Sequence, residues 1–224
     1  MTREQASPPS SSPAISVVVP VFNEEGNLNE LHRRLRQALD RIGGESEIIL
    51  VDDGSTDGSR RTMLALRRDD PSVRVIGLSR NFGQAFALAA GIDRARGEAL
   101  ITLDADLQHP PALIPELVAR WRAGARVVNA VREESGAAGP GKRLTSRLFY
   151  AVLKRIADLD LPPGSADFRL LDRTVADALR AMKERARFWR GLVRWAGFRQ
   201  ECGSYRPEPR RAGSAMPRVG SSCG

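Results

Sequence analysis

The chain has 224 residues, of which 42% are apolar, and carries a formal net charge of +8 with an isoelectric point near 10.6. This length allows one sizeable packed domain, and without a run of about 18 apolar residues the chain is expected to have no transmembrane span. The two cysteines, Cys202 and Cys223, indicate no disulfide framework and favour a reducing compartment. The positive charge is typical of proteins that meet phosphates in nucleic acid, anionic lipid or a small molecule.

Short β-branched segments alternate along the chain with segments in which apolar residues recur at helical spacing. In the polar turn after the first strand, Asn27 is expected to cap a helix. The predicted strands are 15–19, 47–51, 73–78, 99–103, 127–131 and 167–171. The predicted helices are 28–39, one from the 52–59 turn to about 68, 84–94, 114–123, 144–156, 173–182 and 188–195.

The alternation predicts an α/β fold with a mostly parallel sheet that is covered by helices on both faces. In sheets of this kind, ligands bind at the carboxyl ends of the strands. Three of the predicted strands end in polar clusters, at 20–24, 52–57 and 104–106. Each cluster alone is typical of a turn that caps a helix, so none of them indicates a site by itself.

Asp104 and Asp106 stand one residue apart at the end of the fourth predicted strand. Alternate side chains of an extended strand point the same way, so both carboxylates can reach one spot. Two oxygen ligands suit Mg²⁺ or Mn²⁺ and leave room for phosphate oxygens and water. The alternative interpretation is a polar strand end followed by a turn at Pro110 and Pro111.

In their order and spacing, the three clusters resemble those of the inverting glycosyltransferases of family 2, whose GT-A fold is a Rossmann-like α/β fold. Within that family the chain is most similar to the polyprenyl-phosphate sugar synthases. This group includes dolichol-phosphate mannose synthase and bacterial undecaprenyl-phosphate sugar transferases. The closer resemblance is carried by residues 78–84, 90–91, 166–173 and 188–192, and the whole resemblance covers about residues 14–214.

The resemblance implies sugar transfer, with inversion, from a nucleotide diphosphate-sugar carrying UDP or GDP to a polyprenyl (dolichyl or undecaprenyl) phosphate. It implies a divalent metal, Mg²⁺ or Mn²⁺, held by Asp104, Asp106 and Gln108. Such a metal would neutralise the charge that develops on the departing diphosphate. The residues that match the family's nucleoside-binding positions are Pro20, Phe22, Glu24 and Asp53.

Residues later in the chain are implied to complete the site. Arg132 and Arg143 are expected near donor or acceptor phosphates, and Arg190 near the acceptor phosphate, because arginine suits bidentate phosphate contact. Asp167 would act as a general base toward a hydroxyl acceptor, or would orient groups beside an already anionic lipid phosphate. The expected catalytic set is therefore Asp104, Asp106, Asp167 and Arg190. His109 is expected to support the metal loop or to lie at the surface.

The segment 180–199 is basic and amphipathic, which fits an anionic membrane surface and predicts a cytoplasmic protein, peripheral at the cytoplasmic face of the membrane. A solvated helix over the core is the alternative. Nucleic acid is not an expected partner, because the chain has no nucleic-acid-binding motif and few aromatic residues. Two rival functions stay open. One is a family 2 transferase with a hydroxyl acceptor in polysaccharide or glycolipid synthesis, and the other is a catalytically impaired nucleotide-sugar-binding remnant.

Three regions are expected along the chain: a disordered leader at 1–13, a catalytic domain at 14–200 and an atypical, irregular tail at 201–224. Beyond residue 200 the family's pattern fades to a trace at Tyr205 and at 211–214. This ending resembles that of a truncated or frame-shifted member of the family.

Overall fold

The structure, a computed structural model, describes residues 13–132, 165–181, 198 and 200–205. The strands in these ranges are β1 (Ile15–Val21), β2 (Ser46–Asp52), β3 (Val73–Gly77), β4 (Ala99–Thr102), β5 (Val127–Arg132), β6 (Ser165–Asp172) and β7 (Gln200–Tyr205). The α-helices are α1 (Glu25–Ile42), α2 (Ser59–Asp69), α3 (Gln84–Arg94), α4 (Ile114–Arg122) and α5 (Arg173–Ala181). A 3₁₀ turn at Pro111–Leu113 leads into α4.

The strands form one sheet in the order β3-β2-β1-β4-β6-β5-β7. Neighbouring strands pair in parallel except on the two sides of β6, which runs antiparallel to both β4 and β5. The predicted mostly parallel α/β sheet is therefore confirmed. Because β6 runs the other way, its amino end lies at the edge of the sheet where the parallel strands have their carboxyl ends.

Helices cover both faces of the sheet, because alternate strand residues point to opposite sides. Val19 of β1 and Ile101 of β4 belong to a core that includes buried residues of α1, α2 and α4. Val18 and Leu100, their neighbours in sequence, belong to a second core built with α3 and α5. The leucines of α1 at 28, 31, 35 and 39 are all buried, as their helical spacing predicts.

Two predictions about the ends of elements are wrong. Asn27 is not a helix cap, because α1 begins at Glu25 and the Asn27 side-chain amide lies buried in the first turn, donating to Glu24 Oε2 at 2.6 Å. The residues just beyond 200 are not irregular, because Gln200–Tyr205 pairs in parallel with β5 as an outer strand of the sheet. This edge strand has few apolar residues, so no local pattern in the sequence indicates that it pairs with β5.

Several predicted segments lie outside the described residues, namely 1–12, 144–156, 188–195 and 206–224. Within the ranges that are described, none of the helices has the length and apolarity needed to cross a membrane.

Candidate functional site

The polar clusters predicted at strand ends meet at one edge of the sheet. β1 lies between β2 and β4, and all three run in the same direction. Their carboxyl ends therefore bring together the residues after Val21, the aspartates at the end of β2 and the aspartates that follow β4. The sequence predicted this arrangement from the alternation of strands and helices alone.

Asp104 and Asp106 lie in the loop that follows β4, and both are partly exposed. The Gln84 side chain, at the first residue of α3, donates from Nε2 to Asp104 Oδ1 at 2.5 Å. Asp106 Oδ1 accepts a hydrogen bond from the backbone amide of Gln108 at 3.1 Å. The loop thus presents two carboxylates at the surface, and each has an oxygen held by a neutral donor.

The loop is held in this shape by buried residues on its inner side. Leu107 is almost fully buried and has a backbone φ of 63°, a conformation that costs a non-glycine residue about 1–2 kcal/mol. His109 Nδ1 accepts a hydrogen bond from the Asp104 amide at 3.2 Å, and its buried ring stacks on Phe168 with centroids 5.6 Å apart. His109 therefore supports the loop, in agreement with the expectation.

Asp104 and Asp106 fit a divalent cation that shares its coordination with a ligand. In the described part of the chain, no three His, Cys, Asp or Glu side chains are grouped so that they could hold a metal ion by themselves. Mg²⁺ and similar hard cations are commonly bound through one or two carboxylates, together with waters and substrate phosphates. A half-buried Gln108 lies in the same loop. The assignment of Asp104, Asp106 and Gln108 as metal ligands stays a prediction.

Asp53 makes its hydrogen bonds within the chain. Its side chain is fully buried, and its two oxygens accept hydrogen bonds from the amides of Phe82 at 2.8 Å and Gly83 at 2.9 Å. Burial raises the pKa of Asp53 above its usual range, and the two backbone hydrogen bonds only partly oppose this. In this structure Asp53 thus binds the loop before α3, and its contact with a nucleoside stays a prediction.

Gly54 allows the backbone of the loop before α3 to pack closely against the turn after β2. Its φ is 72°, and a Cβ there would lie 2.5 Å from the carbonyl carbon of Arg80 and 2.7 Å from the amide nitrogen of Asn81. No side chain fits in that space without moving backbone. The Asp-Gly pair after β2 therefore fixes the position of residues 80–83.

The loops after β1 and β2 are cross-linked to each other. The Glu24 amide donates to Ser59 Oγ at 2.8 Å, and the Thr56 amide donates to Asn23 Oδ1 at 2.8 Å. Asn23 itself has a φ of 54°, which Asn tolerates better than most residues. Of the residues predicted to hold the nucleoside, Pro20 and Glu24 are buried and Phe22 is half-buried. They lie beside the turn after β2, and their contact with a nucleoside stays a prediction.

The remaining predicted residues are described only in part. Asp167 lies in β6 two residues from Arg169, which pairs with Thr102 of β4. The pairing of β4 with β6 ends at Thr102, and both Asp104 and Asp167 lie beyond it, toward the same edge of the sheet. Arg132 is the last residue of β5, at the same edge of the sheet. Arg143 and Arg190 lie outside the described residues.

Sequence reasoning missed the contact between Gln84 and Asp104. The sequence predicts Gln84 as the start of a helix and as part of a stretch that resembles the polyprenyl-phosphate group, with no role at the aspartates. A local signal existed, since Gly83 and Gln84 follow a predicted strand and open a helix whose amino end must lie at the ligand-binding edge. The partner of Gln84, 20 residues away, had no signal in the sequence.

The sequence profile described as Glycosyl transferase family 2 matches residues 16–180. The chain belongs to glycosyltransferase family 2. An uncharacterized glycosyltransferase of Synechocystis is 42% identical over 199 residues, which make up 89% of this chain and 63% of that protein. A bactoprenol glucosyl transferase of Shigella phage SfV is 37% identical, over 89% of this chain and 65% of that protein. The chain thus spans less than two thirds of the length of these family members.

Solved structures share the fold of this family member. The mannosyltransferase PcManGT from Pyrobaculum calidifontis, in complex with GDP-Man and Mn²⁺, has a TM-score of 0.61 at 21% identity, covering 91% of this chain and 58% of that one. Glucosyl-3-phosphoglycerate synthase from Mycobacterium tuberculosis, in complex with Mn²⁺, UDP and glucosyl-3-phosphoglycerate, has a TM-score of 0.63 at 19% identity. The match covers 89% of this chain and 73% of that one. These likenesses establish a GT-A-like fold, as expected from the sequence.

Proposed function

We propose that the chain is the catalytic part of an inverting glycosyltransferase that moves a sugar from a nucleotide diphosphate-sugar to a polyprenyl phosphate. The observation that carries this proposal is the partly exposed pair Asp104 and Asp106 at the carboxyl edge of a family 2 fold. The acceptor class is supported by relatives named bactoprenol glucosyl transferase, at 37–38% identity. Since those proteins are longer than this chain, their activity is carried over only as part of this proposal.

On the donor side, Asp104 and Asp106, with Gln108 beside them, would hold a divalent cation, Mg²⁺ or Mn²⁺. When bound, that cation supplies positive charge to the leaving nucleoside diphosphate. Phe22 and the turn after β2 would hold the nucleoside of a UDP- or GDP-sugar. The cross-links between these two loops fix them before the donor arrives, so little ordering of the loops is needed on binding.

On the acceptor side, the chemistry favours a lipid phosphate. A phosphate is already anionic at neutral pH and needs no strong base to attack the sugar, whereas a hydroxyl needs one. The acceptor oxygen forms the new bond to the anomeric carbon while the bond to the diphosphate oxygen breaks, which inverts that carbon. Arg132, Arg143 and Arg190 would bind the phosphates, and Asp167 would orient the acceptor. A net charge of +8 fits a protein that works at an anionic membrane face.

The metal assignment is tested by calorimetry of UDP and GDP binding with and without Mn²⁺. We expect Asp104→Ala and Asp106→Ala each to abolish the Mn²⁺-dependent part of nucleotide binding and to leave the circular dichroism spectrum unchanged. The matched control is Asp69→Ala, an exposed acidic residue at the end of α2, which should bind as the wild type does. Unchanged nucleotide binding in both loop variants would refute the metal site.

A hydroxyl acceptor is the second candidate, and it is favoured by the position of Asp167 near the amino end of β6, at the same edge of the sheet as Asp104, where a general base would serve. Transfer from UDP- and GDP-sugars should be measured with undecaprenyl phosphate in detergent and, in parallel, with simple glycans. Product on the lipid alone supports the proposal, whereas product on glycans alone supports the second candidate. Nucleotide binding without transfer or donor hydrolysis would indicate a binding remnant.

A further inference from the structure

One hydrogen bond links a helix to the carboxylate pair from outside their own loop. Gln84 is the first residue of α3, and its Nε2 lies 2.5 Å from Asp104 Oδ1. The helix is anchored on the sheet through Ala87, Leu88 and Ile92, all buried in the second core. The donor of this hydrogen bond is therefore attached to a rigid element and not to a surface loop.

The position of the Gln84 backbone is fixed on its other side by the turn after β2. Gly83, with a φ of 95°, precedes the helix, and its amide and that of Phe82 donate to the buried carboxylate of Asp53. Gly54 packs directly against the backbone of residues 80 and 81. A continuous set of contacts thus runs from the turn after β2, through residues 80–84, to the loop after β4.

We propose that Gln84 is a positioning residue that holds the Asp104 carboxylate in the orientation that binds a divalent cation, and that Asp53 fixes Gln84 for this purpose. The inference rests on the proposed function, which assigns the cation to Asp104. One held oxygen restricts the rotation of the carboxylate, and the side chain is still partly exposed, so a cation can reach it. An amide is suited to this task because, unlike Lys or Arg, it brings no positive charge to compete with the cation.

The test is Mn²⁺ binding, measured from the loss of the free-ion electron paramagnetic resonance signal, with saturating UDP and in parallel with GDP. Partners that hold a metal ligand typically change metal affinity by 10–100-fold when removed, so we expect Gln84→Leu to raise the Mn²⁺ dissociation constant by about tenfold. The melting temperature without metal should stay close to that of the wild type. A role confined to folding would lower the melting temperature and leave Mn²⁺ affinity intact.

Two further variants complete the design. Gln84→Ala removes the side-chain amide, and alanine has a high helix propensity, so α3 should be retained. This variant should weaken Mn²⁺ binding as much as Gln84→Leu does. Gln37→Leu, at an exposed position of α1, is the matched control and should bind Mn²⁺ as the wild type does. Mn²⁺ affinity within twofold of the wild type in both Gln84 variants, alongside loss of binding in Asp104→Asn, would overturn this inference alone. A wild-type chain that binds no Mn²⁺ with either nucleotide would overturn the metal-dependent function as well.

Discussion

The turn after β2 leaves no room for a side chain at Gly54, and Gly54→Ala should therefore damage both stability and the site. The positive φ of 72° alone costs alanine about 1–2 kcal/mol. The new Cβ would also lie 2.5 Å from backbone of Arg80, and relieving such overpacking costs typically about 1–3 kcal/mol more. We expect the free energy of unfolding to fall by about 2–5 kcal/mol in total, by the sum of these two costs.

The structure offers a matched control for the dihedral part of that cost. Gly44 has a φ of 82° and nothing within 4 Å of its added Cβ, so Gly44→Ala should cost only about 1–2 kcal/mol. Both variants can be compared by urea unfolding, in which the midpoint should fall while the slope stays constant. Since residues 80–83 must shift to admit the methyl group, Gly54→Ala should also weaken Mn²⁺-dependent nucleotide binding. Equal destabilisation by both substitutions would refute the reasoning from close approach.

Two acidic residues away from the site give further predictions. Burial would raise the pKa of Glu47, but hydrogen bonds from Ser16, Arg74 and the Arg96 amide outweigh it and hold this pKa below its usual range. Its contribution to stability is therefore present above the unfolded-state pKa of about 4.3 and is lost as pH falls through the lower folded-state pKa. Urea unfolding should show that Glu47→Gln is about 1–3 kcal/mol less stable than the wild type at pH 7. This difference in unfolding free energy should shrink in acid. A difference that stays constant with pH would contradict a role for the charge. Asp172→Ala should lower the unfolding free energy by about 1–3 kcal/mol at pH 7, because its buried carboxylate caps α5 at the Thr174 amide and accepts from Trp121 Nε1 and Arg126 Nη1. Thermal melting indistinguishable from that of the wild type would contradict this.

The parts of the fold that the sequence predicted are those governed by local patterns. β-branched runs gave the strands of the sheet, and the helix at Gln84–Arg94 was predicted with its observed bounds. The start of α1 was missed because the Glu24 amide before it is satisfied by Ser59, the first residue of α2. The strand Gln200–Tyr205 was missed because polar residues on an outer strand carry no period-two apolar signal, and only its pairing with β5 reveals it.

The features of the site that local patterns determine could likewise be predicted, and those that depend on distant residues could not. Placement of the aspartates at strand ends follows from the order of strands and helices, so it could be predicted. The hydrogen bonds from Gln84 to Asp104 and from Gly83 to Asp53 join residues about 20–30 positions apart, and no periodicity encodes them. His109 supports the loop by stacking on Phe168 of β6, a residue that is likewise distant in the sequence.

The burial of Asp53 constrains how a nucleoside could be bound at this site. Each carboxylate oxygen has two lone pairs, so hydrogen bonds from the Phe82 and Gly83 amides do not by themselves exhaust its capacity as an acceptor. Exposure is the stronger limit, because a side chain with 0% exposed surface offers a base N–H no path to it. Direct contact with a base therefore requires groups around Asp53 to move, and the amides of Phe82 and Gly83 are among its neighbours. Because Gly83 directly precedes Gln84, we expect a base that reaches Asp53 by displacing Gly83 also to disturb the hydrogen bond from Gln84 to Asp104.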